Sequence, residues 1–260
     1  MPLFKKKMKK IVFLTASCLF LGGCAQLPQI LNQVQTTVNA NQITNADNVA
    51  GLKSSLNVGI EKAVATLGNS DGFLKNEAYK ILLPPEAQTI TEHIKMIPGG
   101  QQLVDKAVLS LNRSAEDAVT TATPIFSAAI RDMSITDAVG ILFGKDNAAT
   151  EYLRKSTYSQ LKASFAPKVK ASLAKPLVGN ISTTQSWSNL SGAYNTVAKS
   201  AIGSLSGLKP VQANIEDYVT EKALDALFSR VAAEEKAIRT NPAARVNALL
   251  KKVFGQLDKK

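Results

Sequence analysis

The stretch GLKSSLNVGIEKAVATLG, residues 51–68, decides the fold class. Its large apolar residues recur at a helical spacing, at Leu52, Leu56, Ile60, Val64 and Leu67. Steps of three and four residues place side chains on one face of an α-helix. Gly68 follows the last of them, where a glycine commonly ends a helix. The stretch therefore predicts a helix whose apolar face lies in a core.

The same spacing recurs further along the chain. A second stripe starts at Gly100 and continues at Val104, Val108, Leu111, Ala115, Ala118 and Ala122. Pro124 starts a new segment, and a final helix is predicted to bury Val246, Leu249, Leu250 and Val253. Only YKILLP, residues 79–84, has a strand-like composition. The pattern predicts an all-α fold, a single multi-helix globular domain of roughly eight to ten helices.

Capping residues indicate where the other helices begin. Ser134 with Asp137 resembles a capping box, as does Asn214 with Asp217. Further helix starts are predicted at Asp146 or Asn147, at Thr183 or Thr184, and at Asn241. The helix that begins near Asn147 is predicted to end at Pro167, because proline lacks the amide hydrogen that a helix interior uses.

The first residues have the composition of a secretory signal. Residues 1–10, MPLFKKKMKK, contain five lysines and no acid, and the apolar run from Ile11 to Leu21 follows. A run of this length is too short to cross a bilayer, which takes about 20 residues. A basic start and a short apolar run are typical of a segment that is removed after export.

The end of this run resembles the bacterial lipobox at all four positions, Leu21, Gly22, Gly23 and Cys24. The resemblance implies cleavage after Gly23, attachment of diacylglycerol to the Cys24 thiol, and acylation of the new amino group, for example with palmitate. Several acyl chains anchor a protein far more firmly than one. Residues 1–23 are thus predicted to be a lipoprotein signal peptide that carries Cys18 away. Translation from Met8 is a second hypothesis, since Met8 begins a complete short signal.

Residues 24–48 are predicted to be the lipidated cysteine and a polar tether. Between residues 25 and 48 the chain carries one charge, Asp47, and is rich in Gln, Asn and Thr. In lipoproteins of enteric-type bacteria an Asp after the cysteine favours the inner membrane, and this chain has Ala25. The resemblance therefore implies an outer-membrane anchor, with the helical domain, residues 49–257, facing the periplasm.

The charge of the exported chain is modest. Removal of residues 1–23 lowers the formal net charge from +11 to +6, because five lysines and no acids leave. Nucleic acid is consequently not an expected partner. A mild positive charge suits anionic lipid or a cell-wall polymer.

Few residues point to catalysis. The one histidine, His93, is expected to be a surface or partly packed side chain, and no metal site is expected. The SxxK pattern starts at Ser159, Ser172 and Ser206, about as often as composition predicts, without the companion motifs of Ser-Lys enzymes. No catalytic residue and no cofactor are predicted.

The clearest polar cluster is Asp217, Glu221 and Asp225, whose spacing of four puts three carboxylates on one helix face. These acids and Arg245 are the candidate binding residues, for a cation or for acid–base chemistry. The alternative is a solvated helix face. Glu235 and Arg239 are expected to form an ordinary ion pair one helical turn apart.

Five longer blocks resemble a bacterial family, the domain of unknown function numbered 4197, which occurs in lipoproteins. The blocks are GLKSSLNVGIEKAVATLG (51–68), DGFLKNEAYKILLP (71–84), DAVGILFGKDNAATEYL (137–153), DYVTEKALDALF (217–228) and EEKAIRTNPAARVNALLKKVFG (234–255). The resemblance spans residues 50–255. It implies one helical domain behind a lipid anchor and supplies no functional residue.

The functional expectation is a lipid-anchored protein of the cell envelope that is a non-enzymatic binding or structural module. Its expected partners are the membrane, through Cys24, and an envelope protein, a cell-wall polymer or anionic lipid. A carboxylate-dependent enzyme and a carrier of an apolar ligand are the alternatives.

Overall fold

The computed structural model describes residues 42–259. This part of the chain contains no strand and ten α-helices: α1 (Asn45–Leu67), α2 (Gln88–Glu92), α3 (Gly100–Val119), α4 (Ala122–Asp132), α5 (Ala138–Leu142), α6 (Ala148–Ala174), α7 (Thr183–Ala198), α8 (Ala201–Leu205), α9 (Ile215–Thr240) and α10 (Ala248–Phe254). Short 3-10 turns lie at Pro85–Ala87, Ile94–Met96, Pro242–Ala244 and Gly255–Lys259. The predicted all-α class is confirmed. The predicted signal peptide, its cleavage residues and Cys24 lie outside the described residues.

α1 begins earlier than the sequence predicts. Thr44 caps the helix by accepting from the Asp47 amide at 3.1 Å, while the Asp47 carboxylate accepts from the Thr44 amide at 2.8 Å. This reciprocal capping box satisfies two amides that a helix start otherwise leaves without partners. Asp47, the one charged residue of the predicted tether, is therefore part of the helical domain. From Ile43 onward the chain forms one compact unit around an apolar core.

α1 lies at the centre of that unit and packs against α4, α5, α9 and α10. The apolar stripe of the opening stretch is buried, and only Val64 is partly accessible. Two glycines on α1 allow close approach of its neighbours. A Cβ added at Gly59 would lie 3.1 Å from Val231 on α9, and one at Gly51 would lie 2.7 Å from Val253 on α10. Gly59 thus offsets its cost within a helix, about 1 kcal/mol, by closer packing.

α6 continues past Pro167, so the predicted end of this helix is wrong. Proline leaves the carbonyl of the residue four positions earlier, Ala163, without its amide donor. Both residues are exposed, so water can bind that carbonyl. On the opposite face Phe165 and Val169 are fully buried. Their burial outweighs the loss of one hydrogen bond and carries the helix on to Ala174.

Several predicted caps shift by a few residues. Asn214 caps α9 as predicted, accepting from the Glu216 and Asp217 amides. Asp137 rather than Ser134 caps α5, with 2.7 Å between its carboxylate and the Gly140 amide. Ser182 caps α7, because Thr183 instead donates to the Ser110 carbonyl at 3.0 Å.

The final helix buries Leu250, Val253 and Phe254, but Val246 is 60% exposed, which corrects the prediction for that residue. Val246 lies in the connection before α10, whose cap is Asn247. Because Val246 lies outside the helix, helical geometry does not direct its side chain toward the apolar face of α10. The spacing from Val246 to Val253 therefore does not place the two side chains on one face.

Glu235 and Arg239 form the expected ion pair one helical turn apart, and both side chains are buried. Their side chains are 0% and 4% exposed. Glu235 accepts from the amides of Ala149 and Thr150 at 2.9 and 2.7 Å, at the start of α6. Arg239 donates to the carbonyls of Leu142 and Ile141, at the end of α5. The anion thus lies at a helix N-terminus and the cation at a C-terminus, where helix dipoles favour them.

None of the helices between residues 42 and 259 has both the length and the apolar character that crossing a bilayer demands.

Candidate functional site

Asn112 on α3 holds the extended YKILLP segment in place. Its amide donates to the Ile81 carbonyl at 2.7 Å and accepts from the Ile81 amide at 2.9 Å. Asn112 is fully buried. The strand-like composition therefore corresponds to an extended segment whose backbone pairs with a side chain instead of a second strand.

Two tyrosines join the same segment to α9. The Tyr218 hydroxyl donates to the Leu82 carbonyl at 3.1 Å, and the Tyr79 and Ser229 hydroxyls lie 3.1 Å apart in a hydrogen bond. Partial burial raises the pKa of Tyr218, and the charge of Glu86 acts in the same direction. The Tyr218 hydroxyl therefore stays protonated and remains a donor at neutral pH.

Three clefts open around Tyr218, which lines each of them. The first cleft, about 370 Å³, is lined by Tyr79, Lys80, Leu82, Lys222, Asp225 and Ser229 with neighbouring alanines. The second, about 360 Å³, is lined by Pro84, Pro85, Glu86, Asn214, Asp217, Glu221 and Lys222 with Ala213. The third, about 340 Å³, is lined by Leu82, Leu83, Pro85, Gln88, Thr91, Val104 and Val108. We call them together the Tyr218 clefts.

The first cleft carries two cations without carboxylate partners. Neither Lys80 nor Lys222 has a carboxylate of residues 42–259 within ion-pair distance. The one acid of this cleft, Asp225, is paired with Arg154 on α6. The Lys222 ammonium also lies 5.7 Å from the centre of the Tyr218 ring, a favourable cation–π distance. The first cleft therefore favours an anionic group.

The second cleft is acidic, but two of its acids have a cationic partner. Lys162 on α6 lies 2.7 Å from Glu221 and 3.7 Å from Asp217. Its hydrogen bond to Glu221 raises the pKa of Lys162. Glu86 has no cationic partner within ion-pair distance among the described residues.

The third cleft is mainly apolar. Val104 and Leu83 are buried in its walls, while Leu82 is 59% exposed at its border with the first cleft. An exposed leucine beside an apolar depression offers surface that an apolar ligand group can bury, at about 25 cal/mol per Å².

The structure divides the predicted acid cluster between two clefts. Asp217 and Glu221 line the second and Asp225 the first, and their side chains are 58%, 50% and 47% exposed. Each faces a cation on α6, so the three act as partners of Lys162 and Arg154. They do not converge on one point. The acids pair separately because α6 packs along α9, with Lys162 beside Asp217 and Glu221 and Arg154 beside Asp225.

Arg245 does not join these acids, and its predicted association with them is wrong. It is 2% exposed and binds at the C-terminus of α9, donating to the Ile238 carbonyl at 2.9 Å. Its guanidinium also makes a two-point contact with Asp258, at 2.5 and 2.8 Å. Asp217 lies in the first turn of the same 26-residue helix. At 1.5 Å per residue, about 35 Å separates Asp217 from the C-terminal end of this helix.

The other polar candidates are His93 and the serines and lysines of the SxxK patterns. His93 is half-buried after α2 and shares no hydrogen bond with a described serine or acid. Ser172 and Lys175 both donate to the Asp117 carboxylate at 2.6 Å, which links α6 to α3. Within residues 42–259 no group of three His, Cys, Asp or Glu side chains is arranged to hold a metal ion.

Sequence reasoning missed Tyr218, Lys80 and Lys222 as site residues. Each looks like an ordinary residue of an amphipathic stretch. Their common location depends on the YKILLP segment lying across α9, far along the chain. The one signal in the sequence was the extended, partly apolar stretch ending in Pro84–Pro85, which no helix could accommodate.

The chain matches the family described as Protein of unknown function (DUF4197) over residues 42–255. It belongs to that family. No curated protein matches the chain. No solved structure matches it either.

Proposed function

We propose that this member of the family is a lipid-anchored protein of the bacterial cell envelope that acts as a non-enzymatic binding module. The anchor is Cys24, attached to the outer membrane, and the domain faces the periplasm. The lipobox-like residues 21–24 and the polar sequence after them support the anchor. The cationic and apolar Tyr218 clefts, which adjoin one another, support the binding role and carry the proposal.

The ligand has an anionic group next to an apolar one. Lys80 and Lys222 favour the anion in the first cleft, and the third cleft takes the apolar group across Leu82. An envelope protein with an acidic residue beside an apolar one has this chemistry. A ligand that spans the first and third clefts makes contacts in both, so it binds more tightly than a ligand that fills only one of them.

The walls of the clefts are held before any ligand arrives. The YKILLP segment is tied to α3 by Asn112 and to α9 by Tyr79 and Tyr218. A wall that is already ordered loses little conformational entropy on binding, which raises affinity. This arrangement suits recognition.

A small amphiphilic probe tests the site directly. Anilinonaphthalene sulfonate carries a sulfonate beside an apolar ring system, and its fluorescence rises on binding. We expect saturable binding to the native chain at one class of site. Lys80→Gln with Lys222→Gln should weaken it about tenfold, since two charge-assisted contacts are lost. Thr91→Trp should block the third cleft from its exposed rim.

Lys155→Gln is the matched control, because Lys155 is also exposed and has no described carboxylate partner, but lies on α6 away from the clefts. Equal loss of binding in this control, or binding unchanged by Thr91→Trp, would contradict the proposed site.

A second candidate function is that of a carrier of apolar ligands, which the mainly apolar third cleft supports. In that case Thr91→Trp alone abolishes probe binding, and the two lysine substitutions leave it unchanged. The same titrations therefore separate the two candidates.

A further inference from the structure

The most exposed large apolar side chains of the described residues lie together on α8. Leu205 is 91% exposed and Ile202 is 69% exposed. Lys199 and Lys209 flank them, both exposed and without a carboxylate partner among residues 42–259. We call residues 199–209 the α8 tip.

The fold holds these side chains outward. Gly203 lies so close to the end of α7 that an added Cβ would be 2.1 Å from the Val197 carbonyl oxygen. Ser200 caps the turn by accepting from the Gly203 amide at 3.1 Å, and Leu208 is buried beneath it. With Gly203 facing the protein, the neighbouring apolar residues face solvent. The projection is therefore built into the tip and does not require a conformational change.

The stretch of sequence that contains the α8 tip carries charged residues of one sign only. Residues 152–215 contain eight Lys and Arg and no Asp or Glu. Some of these cations are paired with acids of other helices, including Lys162, Lys170 and Lys175. Lys155, Lys168, Lys199 and Lys209 are exposed and have no such partner in the described part of the chain.

We propose that the α8 tip contacts an anionic lipid surface, with Leu205 and Ile202 inserted among the lipids and Lys199 and Lys209 at the head groups. Apolar residues flanked by lysines have the chemistry of a membrane interface, where the apolar part is buried and the amines reach the phosphates. Residues 199–209 contain no Asp or Glu, so the tip itself carries no acid that anionic head groups would repel. The contact is independent of the Tyr218 clefts and would orient the domain against its bilayer.

The test uses the chain from residue 24 with Cys24→Ser, so that no acyl chain contributes to binding; its folded unit begins at Ile43. Cosedimentation is measured with vesicles of phosphatidylcholine alone and with equimolar phosphatidylglycerol. We expect binding to the anionic vesicles only, weakened by raising salt from about 0.05 M to about 0.5 M. Ile202→Ser with Leu205→Ser should weaken it at least about tenfold, and Lys199→Gln with Lys209→Gln should remove the salt dependence.

Val246→Ser is the matched control, since Val246 is an exposed apolar residue at another site, 60% accessible. It should leave vesicle binding unchanged. The proposal is overturned if the chain does not bind anionic vesicles, or if Ile202→Ser with Leu205→Ser binds as well as the parent. It is also overturned if sedimentation shows self-association that Leu205→Ser abolishes, without vesicle binding, because the tip is then an interface between copies.

Discussion

The carboxylate of Glu235 accepts hydrogen bonds from Nε and Nη2 of Arg239 at 2.8 and 2.7 Å, with both side chains buried. The pair connects three helices, since Glu235 binds the first amides of α6 and Arg239 the last carbonyls of α5. Arg239 also lies 5.7 Å from the centre of the Phe254 ring on α10. Backbone amides at the start of α6 and carbonyls at the end of α5 thus have hydrogen-bond partners in side chains of α9.

Glu235→Gln should lower the free energy of unfolding by about 3–5 kcal/mol, because it leaves the Arg239 charge buried without its counter-ion. Urea denaturation measures this. Glu234→Gln is the control, since Glu234 is partly exposed and pairs with Lys62, itself 41% exposed; a loss under about 1 kcal/mol is expected. Equal losses of unfolding free energy in the two variants would show that the buried Glu235–Arg239 pair stabilises the fold no more than a partly exposed ion pair does.

Two glycines should respond to alanine in opposite directions. Gly51→Ala places a Cβ within 2.7 Å of the stiff Val253 side chain and should destabilise the fold by about 1–2 kcal/mol. Gly192→Ala meets no atom within 4 Å on the surface of α7 and should stabilise by about 0.5–1 kcal/mol. Thermal unfolding of both variants gives the signs, and a stabilised Gly51→Ala would contradict the close packing of α1 on α10.

Stability should fall in acid partly through Asp258. Its hydrogen bond from Arg245 lowers the pKa of Asp258 in the folded chain. A carboxyl with a lowered folded pKa contributes stability above its unfolded pKa, about 3.9, and loses it as pH falls through the folded value. Asp258→Asn should therefore unfold more easily than the parent at pH 7. The difference should shrink below about pH 4, and a constant difference down to pH 2 would refute this assignment.

Asn112→Ala should free the Ile81 backbone. It leaves one buried amide and one buried carbonyl without partners, at about 1–3 kcal/mol each. Hydrogen exchange at the Ile81 amide should accelerate in step with the lost stability. Asn189→Ala, an exposed change on α7, should alter stability by less than about 0.5 kcal/mol. Unchanged protection of Ile81 would mean that something other than Asn112 holds the segment.

Cys24→Ser should abolish incorporation of labelled fatty acid, because the thiol that would carry the diacylglycerol is lost. Cys18→Ser is the matched control and should leave labelling unchanged, because Cys18 lies in the segment expected to be removed. The mass of the unprocessed precursor distinguishes translation from Met1 from translation at Met8. Labelling that persists in Cys24→Ser would disprove the lipid anchor.

The sequence was sufficient for the all-α class, because the apolar spacing that indicates a helix is local. The spacing from Leu52 to Leu67 and the cap at Asn214 each depend on residues within a few turns of one another. The break predicted at Pro124 is misplaced, since α3 ends at Val119 and Ala122 begins α4. The sequence was insufficient where a local rule met long-range packing. Pro167 lies inside α6 because Phe165 and Val169 are buried against other helices. The residues near Pro167 in the sequence do not indicate that burial.

The candidate site shows the same division. The sequence by itself determined that Asp217, Glu221 and Asp225 share a helix face, since a spacing of four leaves no other arrangement in an α-helix. Only the tertiary structure decided what that face meets, because Lys162 and Arg154 reach it from α6, and the YKILLP segment crosses α9 at Tyr218. Burial depends on neighbours that are distant in the chain, so the spacing of Glu235 and Arg239 indicated an ion pair but not that both side chains are buried.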